Sequence, residues 1–170
     1  MPQPGSMNER ALAAGPVLWA WLLAVGVDLL YNAGFFAPLF DQVREPGLLP
    51  DATLVQRIPI AYLVVAVGVA IVAWLIDETD NAGAGRGAVV GAATGVIFGL
   101  TGAVWLWTAI DMTLLFVLAA IVVQVSQMAA AGAVLGAVRA GVPRRVVRGR
   151  ALGSALAAGI VAIVVQNVLG

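Results

Sequence analysis

Five apolar runs, at about residues 16–36, 58–76, 88–108, 112–138 and 151–169, constrain this chain more than any other feature. Each is about 18 residues or longer, the length at which a helix rising 1.5 Å per residue crosses a ~30 Å hydrocarbon layer. The chain is 62% hydrophobic and only 11% charged, whereas a soluble domain carries roughly a quarter charged residues. In lipid, a helix satisfies its own backbone groups, so runs of this kind read as membrane-spanning helices. The expected fold is therefore all-α, a polytopic transmembrane helical bundle forming one domain over residues 16–170. A mobile N-terminal segment, residues 1–15, precedes it. Pro16 suits the first turn of the first helix, where its missing N–H costs nothing. No Gly or Pro separates the third and fourth runs between Trp107 and Leu114. A single helix over 88–138 would far exceed the bilayer, so a break is required there. Asp111 sits at that break and is the expected N-cap of the fourth span.

The arginines orient the bundle. The stretch RAGVPRRVVRGR, Arg139 to Arg150, reads as a basic loop and holds five of the nine basic residues: Arg139, Arg144, Arg145, Arg148 and Arg150. With five spans, this stretch, the turn at 77–87 and the N-terminus share one side, which carries seven Arg against the two (Arg44 and Arg57) opposite. Cytoplasmic loops collect Lys and Arg, which places the N-terminus inside and the C-terminus outside. The arginine stretch is read as a determinant of topology and a site for anionic lipid headgroups. Tryptophans 19, 21, 74, 105 and 107 fall near span ends, where amphipathic rings favour the headgroup boundary.

Missing residue types narrow the chemistry. The chain has no Cys and no His, and all nine basic residues are Arg. Thiolate nucleophiles, Cys-ligated metals and disulfides are excluded, as are imidazole ligands and bases and any lysine Schiff base. Zero net charge gives no electrostatic footprint for nucleic acid. No residue pattern implies a catalytic centre, a metal or a cofactor, and the chain is not expected to be an enzyme. An Ala/Val/Gly/Arg-rich, lysine-free composition suggests the plasma (inner) membrane of a prokaryote.

The connection over 37–57 contains Pro38, Pro46 and Pro50 among five charges. Its apolar residues suffice for a short interfacial helix. The third span places Gly87, Gly91, Gly95 and Gly99 on one face as a GxxxG ladder, and the fourth repeats the spacing at Gly132 and Gly136. Helices in lipid gain little by hiding apolar surface, so small residues that admit close approach mark their contacts. With Gly153 on the fifth span, this predicts a tight core of spans three, four and five. One ladder is also a candidate seam for a second copy of the chain or a larger membrane complex.

One ionisable side chain, Asp28, lies well inside a span. Tyr31 and Asn32 share its helical face at i+3 and i+4. Thr101, Gln124 and Gln127 are polar residues of other spans at comparable depth. A carboxyl group near the membrane centre is expensive unless partnered, so Asp28 should face the bundle interior. Two readings follow. These residues line a polar site for a proton, cation or small solute, or Asp28 is a hydrogen-bonding strut between spans one and four.

The block GVDLLYNAGFFAPLF at Gly26–Phe40, the glycine-rich third span, the Asp111 turn and GAVLGAVRAG at Gly132–Gly141 resemble a known group. It is a family of small prokaryotic four-helix integral membrane proteins catalogued only as a domain of unknown function. The resemblance covers about residues 16–141 and implies a multi-pass helical topology; the fifth span is a departure from it. It implies no activity for particular residues. Negative chemistry and abundant packing glycine point first to a structural or accessory subunit with lipids and membrane proteins as partners. The alternative is a small transporter or channel centred on Asp28.

Overall fold

The structure, a computed structural model, describes residues 7–37, 51–109 and 113–169. The described residues are helical, with no strand among them. Five helices follow in order: α1 (Met7–Leu29), α2 (Asp51–Glu78), α3 (Ala84–Ala109), α4 (Leu114–Arg139) and α5 (Arg144–Leu169). α1 continues into a π-helical segment, Leu30–Phe35. All five are long and apolar enough to cross a membrane, over Ala14–Phe35, Gln56–Glu78, Ala84–Thr108, Leu114–Arg139 and Arg144–Val168. The five-span, all-helical expectation is met.

Several boundaries differ from the sequence reading. α1 begins at Met7, so Pro16 lies inside the helix rather than in its first turn, and residues 7–15 are helical. The interfacial helix expected in the first connection falls largely on residues 38–50, outside the described residues, and α2 already begins at Asp51. Asp111 is also outside the described residues. The N-cap of α4 is Thr113, whose hydroxyl accepts from Phe116 N at 3.3 Å. The largest difference concerns the arginines. α4 closes with Gly141 at φ +79 and hydrogen bonds from Gly141 N to Val138 O and from Val142 N to Ala137 O. These are the two bonds of a Schellman cap, which favours a glycine in the left-handed region. Pro143 follows, and α5 starts at Arg144. Four of the five arginines are thus in the first turns of a helix and not in a loop.

α3 and α4 make the closest contact in the bundle. An ideal Cβ on Gly95 would lie 2.7 Å from Val125 Cα, and one on Gly99 would lie 3.1 Å from Ile121 Cα. Cβ atoms on Gly87 and Gly91 would overlap the carbonyl oxygens of Gly132 and Met128. The two ladders are therefore spent on each other. Gly83, at φ +112, starts the seam by donating its N–H to Gly136 O at 2.8 Å.

The fifth span does not join this core. α5 packs along α1 and its π segment and barely touches α4. Gly153 is exposed with nothing within 4 Å, so the expected trio of spans three, four and five is replaced by two pairs. The α1–α5 contact relies on Gly26 and Gly34: ideal Cβ atoms there would lie 2.8 Å from Ala155 Cα and 3.3 Å from Ala162 Cα. The glycines are one residue further apart in sequence than their alanine partners. The π segment absorbs that extra residue, as Phe36 N bonding Tyr31 O at 2.7 Å shows, and returns Gly34 to the face that Gly26 occupies.

α1, α2 and α4 share the remaining interior, where Ala20, Ala24, Val69, Val72, Ile76 and Met128 are fully buried. α2 and α3 meet only sparsely.

Candidate functional site

Asp28 sits two residues before the π segment and faces α2 and α4. Its Oδ1 accepts from Asn32 Nδ2 at 2.7 Å and from Gln127 Nε2, and its Oδ2 accepts from Tyr62 OH at 3.0 Å. Three donors from three helices therefore converge on one carboxyl group, which meets the requirement that a polar group at membrane depth be partnered. Tyr62 is held in turn from the opposite side, since Trp21 Nε1 donates to Tyr62 O at 2.9 Å. α2 is thereby pinned to α1 above and below one residue. Trp21 is thus a link between α1 and α2.

Gln127 is 1% exposed, and its Oε1 is buried with no hydrogen-bond partner. Such an unpaired acceptor costs roughly 1–3 kcal/mol. Beside it lies a cleft of about 700 Å³ lined by Asp28, Gln124 and Gln127 with Thr101, Gly102 and apolar residues of α2 and α3. Val64, Val67, Phe98, Thr101 and Gly102 at its rim are exposed, so its mouth is the gap between the sparsely packed α2 and α3. The interior end is polar and the walls are mostly apolar.

The structure thus brings together Asp28, Asn32, Gln124, Gln127 and Thr101 of the residues singled out from sequence. Tyr31 is placed elsewhere: its ring stacks on Phe36 at 5.6 Å and 25° and tilts against Phe35 at 6.2 Å. The π segment gives the physical reason, because the widened turn changes the i+3 relation that a regular helix would have imposed. Tyr62 is the residue that sequence reasoning missed. A signal for it existed, since a phenol inside an apolar span needs an acceptor and Asp28 was the ionisable one at that depth. Among the described residues, no group of three or more acidic side chains could hold a metal ion.

Comparison of the chain with protein-family profiles, curated proteins and solved structures finds no match. The resemblance to a four-helix membrane family accordingly rests on the quoted residues alone.

Proposed function

We propose that this small multi-pass membrane protein is a transporter or channel for a proton, cation or small solute, with Asp28 at its polar centre. The carrying observation is the cleft that ends on Asp28 and Gln127. A carboxyl group and an unpaired amide oxygen are both acceptors, a pairing that suits a cation or a hydrogen-bond donor. Binding sites near the midplane, beside irregular helical backbone, are a recurrent arrangement in transporters, and the π segment next to Asp28 fits it. The glycine ladders, which would otherwise recommend docking to a partner, are consumed within the chain.

The test is flux in proteoliposomes with wild type and Asp28→Asn, which keeps the side-chain shape and removes the charge. Wild type is expected to pass protons or monovalent cations, and the variant is expected to lose that flux while remaining folded. Absence of flux from wild type, or equal flux from both, overturns the proposal.

A second reading, an accessory subunit, is favoured by α5, where Gly149, Gly153 and Gly159 have nothing within 4 Å. A partner helix seated there would make Gly153→Leu shift the assembly size on a column without changing helicity. An unchanged size removes this reading.

A further inference from the structure

The four arginines that open α5 are exposed and have no acidic partner among the described residues; Arg139, by contrast, is paired with Asp77 at 2.5 Å. The first turn of α5 contains no acidic residue. A helix N-terminus carries partial positive charge, so four cations there repel both one another and the helix dipole. An anion at this end would relieve both effects. α5 is 26 residues long, about 39 Å at 1.5 Å per residue, so its first ~9 Å extends beyond a ~30 Å hydrocarbon layer. With the overhang at this end, Arg144, Arg145 and Arg148 fall within it and Arg150 at its lower edge, where the headgroups meet the hydrocarbon.

A second, separate feature lies directly below. Because α5 leans on α1 and stands off α4, a groove of about 320 Å³ remains between α4 and α5. Ala130, Ala133 and Ala137 form its floor on one helical face of α4, Ala151 and Ser154 its wall, and Arg150 its only charged lining residue. In water such a groove could fill with solvent. In a bilayer, the adjoining material is hydrocarbon.

We propose that this groove is a binding site for an anionic phospholipid, with the phosphate held by Arg150 and the neighbouring arginines and an acyl chain lying on the alanine floor. Charge complementarity selects the headgroup, and the groove selects a molecule that carries a chain. The site is distinct from the Asp28 cleft, shares no lining residue with it, and stands whether or not the protein transports anything.

The experiment is native mass spectrometry of the full chain in detergent, with phosphatidylglycerol and phosphatidylcholine of matched chains added in competition. Wild type should retain one phosphatidylglycerol and prefer it to phosphatidylcholine by about fivefold or more, the factor expected from a single arginine near an anionic surface. Arg150→Gln should reduce that preference to within about twofold. Ala133→Phe, which fills the groove and leaves every charge in place, should abolish retention of both lipids; Ala130→Leu serves the same purpose if the first variant does not fold. Water-soluble glycerol phosphate should fail to displace the lipid. Equal retention of the two lipids, undiminished retention by a folded groove-filled variant, or displacement by glycerol phosphate overturns the proposal.

Discussion

The contact between α3 and α4 and that between α2 and α3 join neighbours of similar composition, yet one is sealed and the other gapes. The sealed pair has glycine at every fourth residue of α3 from Gly87 to Gly99, met by Gly132 and Gly136 and by the backbone of Met128, Val125 and Ile121 on α4. The gaping pair presents Val64, Val67 and Phe98 around a cleft of about 700 Å³. Apolar character cannot distinguish these cases, because lipid is as apolar as leucine and hiding a valine from it gains little. In this bundle, side-chain size decides where helices close. On the side away from the cleft, α2 is held to α1 and α4 by the buried Val69, Val72 and Ile76 and by the Tyr62 hydrogen bonds.

The comparison can be broken at the seam first. Gly91→Leu places a branched side chain against the Met128 carbonyl. It should cost about 3 kcal/mol or more, the upper range for overpacking, and appear as loss of the folded fraction in detergent unfolding. Asp28→Ala attacks the polar side. It leaves Tyr62 OH and both ends of the Gln127 amide unpaired, which should cost about 1–3 kcal/mol by the same measurement. Asp28→Asn should cost less. Gly26→Ala sharpens the contrast at the α1–α5 contact, where the new methyl lies 2.8 Å from Ala155 Cα. A loss of about 1 kcal/mol is expected, with enhanced proteolysis of α5 as a second readout. The smallest effect belongs to Arg139→Gln. Its ion pair with Asp77 joins side chains that are 51% and 57% exposed, so its removal should change stability by under about 1 kcal/mol and by nothing measurable in high salt.

Much of the architecture was legible because length is a strong signal. The five spans follow from run length, and both ladders follow from four-residue spacing. Partner choice was not legible. Gly153 has the same local credentials as Gly132, yet it faces open space, since nothing in an apolar helix marks which face meets protein and which meets lipid. The end of the arginine stretch was misjudged for a different reason: the break is made by Gly141 and Pro143 alone, and arginine itself is a good helix former. At the site, Asp28 stood out because an acid is costly in lipid. Tyr62 did not, because a tyrosine near a span end has an ordinary interfacial explanation. The displacement of Tyr31 depends on the π turn, which leaves no mark in the local sequence.

The pairing of α1 with α5 has a consequence for the order of assembly. α3 and α4 are consecutive, so their seam can close as soon as both have left the ribosome, with little loop entropy to overcome. Gly26 and Gly34 meet Ala155 and Ala162 only after the intervening α2, α3 and α4 and then α5 itself have been made. Until then the first helix exposes its closest-packing face to the membrane with no partner. A nascent chain stopped before Arg144 would therefore contain a finished hairpin beside an unfinished first helix. Quality-control proteases that recognise unpaired small-residue faces would have the duration of α5 synthesis in which to act.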